Sequence, residues 1–313
     1  MNEKIVFMGT PNFAANVLEG LIKNGYNIVG VVTQEDKPVG RKKIMTPSPV
    51  KEVALKYNLP VFTPHNIKED YKDILDLEPE LIITSAYGQF VPEELIEYPK
   101  YKAINTHGSL LPKYRGGAPI QWSIINGDDK TGISIIYMTK GMDEGDILYT
   151  KEIDILKEDS NTTLFNKLSD VALESLLDFL PRFFKGDFTR TKQDESLVSY
   201  AYNLKKEDEF ISFNNETIKV YNHIRGLLDN PGAYGVLSNK KYKFIKVDYE
   251  LKDNTSPSKF VGLENNYLRI DCLDGFIKVL EIKPEGKNNM DAKSFYNGVG
   301  KSLVGLYFSE NYE

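Results

Sequence analysis

An alternation of strand, helix and strand over the first 33 residues constrains the fold more than any other feature of the chain. Residues 4–8 and 27–33 are apolar runs, and residues between them show the apolar spacing of a helix, at Ala14, Val17, Leu18 and Leu21. Two strands joined through a helix are expected to be parallel, with a right-handed crossover. The turn at residues 9–12, Gly-Thr-Pro-Asn, lacks the G-x-G-x-x-G fingerprint of dinucleotide-binding folds. We therefore predict a Rossmann-like parallel sheet without a nicotinamide cofactor.

The final third of the chain has a different pattern. From Phe210 onward, short strands are separated by Asn, Asp, Gly and Pro, at 233–237, 241–249, 260–263, 268–272 and 276–282. Such evenly spaced strands are typical of a small β-barrel or sandwich. In the second strand the alternation slips between Phe244 and Ile245, which predicts a β-bulge. Because 313 residues exceed the usual size of a single core, we predict an α/β domain at 1–189, a linker at 190–206 and an all-β domain at 207–313.

Composition indicates the kind of cellular compartment in which the protein works. A single cysteine, Cys272, excludes an intramolecular disulfide framework and fits a reducing compartment. No apolar run approaches the length of a membrane span, and the N-terminus has no signal-peptide character, so a cytoplasmic location is expected. The net charge of −6 argues against a uniform nucleic-acid-binding coat, although a local basic patch stays compatible with it.

Residues 103–122 concentrate the polar side chains that chemistry would need. Asn105, His107 and Ser109 alternate at the end of an apolar run, so they point to one side of an extended chain. The loop after the apolar run 131–138 carries Asp143. Because sites in parallel sheets lie at the carboxyl ends of the strands, we expect Asp143 to meet Asn105 and His107 there.

These residue types suit transfer of an acyl-type group. A charged imidazole and an amide can stabilise an oxyanion at a carbonyl centre, while a carboxylate orients the imidazole. No serine, cysteine or lysine is placed as an attacking group; Ser109 is the nearest, and we expect it to contact a ligand or cap the turn. Histidine and cysteine are too few and too scattered for a metal site. From the residues alone, a transferase and an α/β binding protein stay equal alternatives.

Two further segments are candidates for ligand contact. Residues 34–48 form a long loop with a basic tip, Arg41, Lys42 and Lys43, and loops of this length are usually functional, although a solvated surface loop is an equal alternative. Gly88 follows the apolar run 81–84 and allows the backbone to bend or to approach a ligand closely.

Several motifs, in order and spacing, resemble the methionyl-tRNA formyltransferases, a family of folate-dependent formyltransferases. They are Gly-Thr-Pro-Asn-Phe at 9–13, Lys-Pro-Val-Gly-Arg-Lys-Lys at 37–43, Ala-Tyr-Gly-Gln at 86–89, Asn-Thr-His-Gly-Ser-Leu-Leu-Pro at 105–112 and Gly-Met-Asp-Glu-Gly-Asp at 141–146. The likeness is specific over residues 1–150 and weaker beyond. It implies an OB-like barrel as the second domain. It also implies transfer of a formyl group from 10-formyltetrahydrofolate to the α-amino group of initiator methionyl-tRNA.

The resemblance also implies roles for residues. Asn105, His107 and Asp143 would be the catalytic set, and Arg41, Lys42 and Lys43 would contact tRNA. The folate-binding residues would be Ser109, Leu110, Leu111 and Pro112, supported by Gly88, Gln89 and Phe90. No metal and no obligatory protein partner is implied.

Two other interpretations remain. One is a folate-dependent formyltransferase acting on a small amine, such as an amino nucleotide sugar or glycinamide ribonucleotide. The other is a catalytically silent folate- or RNA-binding module. The basic 34–48 loop and the separate all-β domain favour tRNA, and the intact Asn105, His107 and Asp143 set favours an enzyme.

Overall fold

The structure is a computed structural model that describes residues 2–40 and 42–312. Contacts divide the chain into two compact units. The first comprises residues up to Pro119, Lys130–Asp154 and Phe165–Tyr202, and the second comprises Ile120–Asp129, Ile155–Leu164 and the residues from Asn203 onward. The domain boundaries predicted above stay a prediction. Within the described residues, every helix is too short or too polar to cross a membrane.

The first unit is built on a seven-stranded sheet. Its strands are β1 (Ile5–Gly9), β2 (Ile28–Val32), β5 (Val61–Phe62), β6 (Leu81–Ser85), β7 (Ala103–His107), β8 (Lys130–Tyr137) and β9 (Ile147–Asp154). The order across the sheet is β5-β2-β1-β6-β7-β8-β9, and the pairs from β5 to β7 are parallel. This confirms the Rossmann-like α/β fold. The β7–β8 and β8–β9 pairs are antiparallel, so the sheet is mixed at one edge.

Residues 2–40 and 42–183 contain six helices, and the first of them has the predicted apolar pattern. They are α1 (Asn12–Lys23), α2 (Pro49–Lys56), α3 (Lys72–Leu75), α4 (Glu93–Glu97), α5 (Pro119–Ile125) and α6 (Asn161–Phe183). In α1 the apolar stripe Val17, Leu18 and Leu21 is fully buried, as its 3.6-residue spacing predicts. The Ser48 hydroxyl accepts a hydrogen bond from the Lys51 backbone N–H and caps α2.

The 34–48 segment is more ordered than the predicted loop. It contains an antiparallel hairpin of β3 (Lys37–Val39) and β4 (Ile44–Thr46). A turn joins the two strands, with Gly40 and Lys43 both at positive φ. Apolar side chains on the hairpin are exposed, Val39, Ile44 and Met45 among them. Arg41 lies outside the described residues.

The second unit holds a six-stranded antiparallel sheet. Its strands are β10 (Tyr234–Leu237), β11 (Lys240–Leu251), β12 (Phe260–Glu264), β13 (Tyr267–Asp271), β14 (Gly275–Pro284) and β15 (Met290–Asp291). The order is β10-β11-β14-β13-β12, with β15 on β14. Residues 306–309 link the two edges, because Phe260 N–H donates to the Leu306 carbonyl and Ser309 N–H donates to the Val236 carbonyl, both at 2.8 Å. This agrees with the predicted all-β barrel-like fold.

Two helices accompany this sheet, α7 (Thr217–Gly226) and α8 (Ala292–Gly298). The predicted bulge in β11 is confirmed, since Phe244 pairs with Ile282 and Lys246 with Glu281, which leaves Ile245 without a partner in the register. Aromatic rings fill the core beneath, with Phe213 packing edge-on against Phe244 at 5.4 Å between ring centroids.

Candidate functional site

Strand β7 delivers two polar side chains to one carboxylate. Asn105 Nδ2 donates to Asp143 Oδ1 at 3.3 Å, and His107 Nδ1 lies 3.5 Å from Asp143 Oδ2. Both therefore project to the same side of the strand, as their alternation predicts. His107 is 5% exposed, so its imidazole sits in a largely water-excluded setting. The structure thus brings Asn105, His107 and Asp143 together.

Asp143 reaches this position by a route that the sequence did not indicate. Because β8 runs antiparallel to β7, Tyr137 at the end of β8 pairs with Ile104 near the start of β7. The loop after β8 must therefore turn back along the sheet to reach His107, instead of leaving from the shared carboxyl edge. Asp143 itself has a left-handed backbone, with φ of 52°, which is uncommon for a residue with a side chain.

A backbone donor completes the surroundings of the Asp143 carboxylate. Gly116 N–H donates to Oδ2 at 3.0 Å. Gly116 has φ of 124°, and a Cβ there would lie 2.7 Å from the Ala201 carbonyl oxygen. Only glycine fits this combination of backbone angle and close approach. Gly116 in the 103–122 stretch therefore places a donor on the carboxylate.

The ring nitrogens of His107 have distinct surroundings. Nε2 lies 2.8 Å from the Tyr114 carbonyl oxygen, and because a carbonyl only accepts, Nε2 carries a proton. Nδ1 is then the nitrogen that can gain or lose a proton, and it is the one that faces Asp143. Its 3.5 Å separation is longer than an ordinary hydrogen bond, which leaves Nδ1 able to engage a substrate group.

Thr84 orients Asn105, a role that the sequence pattern does not indicate. The Thr84 hydroxyl donates to Asn105 Oδ1 at 2.8 Å, so the amide turns Nδ2 toward Asp143. Thr84 lies in β6 directly opposite Asn105 in the parallel register. The sequence shows Thr84 as a polar residue at the end of the apolar run 81–84. That Thr84 pairs with Asn105 follows only from the register of the two strands in the sheet.

The segment Ser109–Pro112 is held in a fixed shape by a residue of β8. The Ser134 hydroxyl donates to the Ser109 carbonyl at 2.8 Å and accepts from the Leu111 N–H at 3.1 Å. The Ser109 hydroxyl donates to the Lys113 carbonyl at 2.6 Å, which makes it a cap of the turn. Ser109 and Leu111 are buried, whereas Leu110 and Pro112 are partly exposed.

The segment 88–90 leaves the sheet at the same edge as Ser109–Pro112, because β6 and β7 are parallel neighbours. Gly88 has φ of 90° and lies beside the Gln34 amide.

The Gln89 amide is engaged, since Oε1 accepts from Ile67 N–H at 3.0 Å and Nε2 donates to the Pro64 carbonyl at 3.4 Å. Phe90 is 62% exposed. Gly88 and Phe90 are therefore open to a ligand, while the Gln89 side chain is already committed to the 64–67 loop.

The remaining predicted residues lie apart from this cluster in the chain. Lys42 and Lys43 are exposed in the turn that joins β3 and β4. Arg41, the third member of that basic tip, is outside the described residues. Over residues 2–40 and 42–312, histidine, cysteine, aspartate and glutamate side chains form no group of three suited to holding a metal ion.

Comparison with known proteins gives matches over both units. The family described as Formyl transferase matches residues 3–180, and that described as Formyl transferase, C-terminal domain, matches residues 203–300. The methionyl-tRNA formyltransferase of Ligilactobacillus salivarius is 47% identical over 306 residues, which cover 96% of each chain.

Two solved structures have a similar fold. Methionyl-tRNA formyltransferase from Clostridium thermocellum has a TM-score of 0.58 at 20% identity, covering 79% of this chain and 94% of its own. WlaRD, a sugar 3N-formyl transferase crystallised in the presence of dTDP and 5-N-formyl-THF, has a TM-score of 0.66 at 20% identity, covering 92% of this chain and 100% of its own.

Proposed function

Because this chain belongs to the methionyl-tRNA formyltransferase family, we propose that it transfers the formyl group of 10-formyltetrahydrofolate to the α-amino group of initiator methionyl-tRNA. The product is N-formylmethionyl-tRNA, which serves translation initiation. The observation that carries the proposal is 47% identity across 96% of both chains to a protein of that name. The cluster of Asn105, His107 and Asp143 supplies groups that such a transfer needs.

The reaction joins an amine to a formyl carbon. A free α-amine has a pKa of about 7.7–8.0, so roughly a tenth of it is neutral and nucleophilic at pH 7. Its attack forms the new C–N bond and places negative charge on the formyl oxygen. The bond from carbon to N10 of the folate then breaks with its electron pair on N10. The amine loses one proton and N10 gains one, so atoms and charge balance.

Asn105 and His107 have the donors for these steps. The Asn105 amide has two N–H groups, and only one is directed to Asp143, so the second can stabilise the oxyanion. His107 Nδ1, held loosely at 3.5 Å from Asp143, can pass the proton between the amine and N10. Asp143 accepts from Asn105 and Gly116 and faces His107, so it orients the set and balances the charge of the imidazolium.

The formyl donor fits the segments at the edge of the sheet. Recognition of a planar heterocycle needs backbone donors and acceptors beside an apolar surface. Ser109, Leu110, Leu111 and Pro112 offer a fixed backbone with apolar side chains, and Gly88 with the exposed Phe90 offers a second such surface. We assign the folate to these residues. Gln89 would contribute through its backbone, since its amide is engaged with residues 64–67.

The tRNA is assigned to the hairpin and to the all-β domain. Lys42 and Lys43 are exposed on the turn, and with Arg41 they form a basic tip that can neutralise phosphates. The functional division that we propose is a catalytic domain at 1–189, a linker at 190–206 and an OB-like tRNA-binding domain at 207–313. The single, buried Cys272 supports a reducing, cytoplasmic setting. We propose no metal and no obligatory protein partner.

A comparison of acceptors tests the proposal. The full chain, with 10-formyltetrahydrofolate, is offered methionyl-tRNA in one reaction and a dTDP-linked amino sugar in another. We expect formyl transfer to methionyl-tRNA and little or none to the sugar. Transfer to the sugar alone would support a small-amine formyltransferase, whereas no transfer to either acceptor would refute the proposed function.

A further inference from the structure

Gln193 lies directly against the backbone of the Asp143 loop. Its Nε2 donates to the Asp143 carbonyl at 2.7 Å and to the Gly145 carbonyl at 2.8 Å. Its Oε1 accepts from Arg115 Nε at 3.0 Å. The residue is only 5% exposed, and both amide atoms are engaged. A buried amide that binds backbone on both sides of the 143–145 turn can fix the shape of that turn.

Arg115 holds Gln193 in place. It is 2% exposed, and its guanidinium also pairs with Glu195, with Nη2 2.8 Å from Oε1. The backbone of Arg115 pairs with the segment 199–201, since its N–H donates to the Ser199 carbonyl at 2.9 Å and its carbonyl accepts from the Ala201 N–H at 2.8 Å. The segment 193–201 belongs to the linker predicted from the sequence. It is thus hydrogen-bonded to the loop that carries Gly116.

The backbone of Asp143 needs such support. Its φ of 52° is unfavourable for a residue with a Cβ, and such conformations persist only where the surroundings hold them. The Asp143 side chain must meet Asn105, Gly116 and His107 at once, which requires one defined direction for its Cα–Cβ bond. Gln193 binds the carbonyl of the strained residue itself.

We propose that Gln193, held by Arg115, is a positioning residue that sets the backbone of Asp143 so that its carboxylate reaches Asn105 and His107. It acts through Asp143 and needs no contact with either substrate. The inference rests on the proposed formyl transfer, because the rate of that reaction is its readout.

A double-mutant cycle tests the proposal in the full-length protein. We expect Gln193→Ala to lower the single-turnover rate of formyl transfer to methionyl-tRNA about 10- to 100-fold, because a misplacement of about 1 Å at a catalytic group can cost roughly 10²-fold. KM for both substrates should stay within about twofold, because no substrate contact is lost. In an Asp143→Asn background the same change should lower the rate less than about threefold, since residues that act through one another are not additive.

Controls separate this role from a general structural one. Asn16→Ala removes a partly buried amide of the same unit, which donates to Asp170 Oδ1 at 2.9 Å and belongs to none of the proposed catalytic or binding segments, and it should leave the rate unchanged. If Gln193→Ala does not fold, Gln193→Glu replaces it. This variant keeps the side-chain volume and the acceptor for Arg115 but loses the N–H donors to the two carbonyls. We expect the same loss of rate, about 10- to 100-fold. A crystal structure of the variant should show the Asp143 carboxylate displaced from the Gly116 N–H.

The outcomes are distinct. A full additional loss in the Asp143→Asn background, or a Gln193 variant with the wild-type rate, would overturn the positioning role. An inactive wild-type chain would refute the proposed function instead. In that case the position of the Asp143 carboxylate in the crystal structure of the variant would still test whether Gln193 positions it.

Discussion

Replacing Asp143 by asparagine keeps the shape of the side chain and removes its charge. Both carboxylate oxygens are used, with Oδ1 facing Asn105 Nδ2 at 3.3 Å and Oδ2 facing Gly116 N–H at 3.0 Å and His107 Nδ1 at 3.5 Å. An amide has one acceptor oxygen, so in either orientation its NH₂ group opposes a donor. Asp143→Asn therefore loses at least one hydrogen bond and all attraction to a charged imidazole.

The size of the effect follows from these contacts. A hydrogen bond to a charged group contributes about 1.5–3 kcal/mol. Unit charges 3.5 Å apart attract by about 5 kcal/mol at an effective dielectric constant of 20, an upper bound here because the Asp143 side chain is 18% exposed. If about 3–4 kcal/mol of this total is expressed in the transition state, the rate falls roughly 10²- to 10³-fold.

The assay is single-turnover formyl transfer to methionyl-tRNA with both substrates saturating. Asp146→Asn is the matched control, because it removes a carboxylate of the same loop that pairs with the exposed Arg190. Surface pairs contribute about 0–1 kcal/mol, so this control should keep its rate within roughly threefold. A rate for Asp143→Asn as high as that of the control would show that the Asp143 carboxylate does not stabilise the transition state.

Three other perturbations follow from the structure. Gly116→Ala should lower the rate of turnover at least about tenfold, because backbone strain of about 1–3 kcal/mol displaces the residue 116 N–H from Asp143. The control Gly298→Ala should leave the rate unchanged, because no atom lies within 4 Å of a Cβ built there. The double variant Lys42→Ala/Lys43→Ala should raise KM for tRNA alone and reduce the slope of its salt dependence by roughly 1–2. Burial lowers the pKa of His223 from its ordinary value of 6.5 in the folded protein. As the pH falls through this range, the unfolded chain therefore binds more protons at His223 than the folded chain does. The free energy of unfolding, from urea titrations at pH 7.5 and 5.5, should therefore fall on acidification, and His223→Asn should lessen the fall.

The parts of the site that depend on local pattern could be predicted from the sequence. Asn105 and His107 share a face because a strand has a period of two, whereas Asp143 joins them through a turn that its position after an apolar run did not indicate. The bulge at Ile245 was likewise visible as a slip in alternation. In each case the information lies within a few residues of the chain.

The supporting residues could not be predicted, because they depend on register and on long-range contact. Thr84 bonds Asn105 through parallel pairing, and Gln193 reaches Asp143 from 50 residues away. The antiparallel β8 also could not be foreseen, since an apolar run carries no mark of strand direction. The edge strand β9 was not predicted, because only Leu148 in it is buried and residues 150–152 and 154 are polar, so it contains no apolar run.

The proposed mechanism is tested most directly by the single-turnover rate of His107→Ala with methionyl-tRNA and 10-formyltetrahydrofolate, both bound to saturation. His65→Ala serves as control, because the His65 side chain is 85% exposed and pairs with Glu35 at the surface. A proton-transfer role for His107 predicts a loss of roughly 10²- to 10⁴-fold for His107→Ala and no loss for the control. A His107→Ala enzyme that transfers formyl groups at the wild-type rate would contradict it.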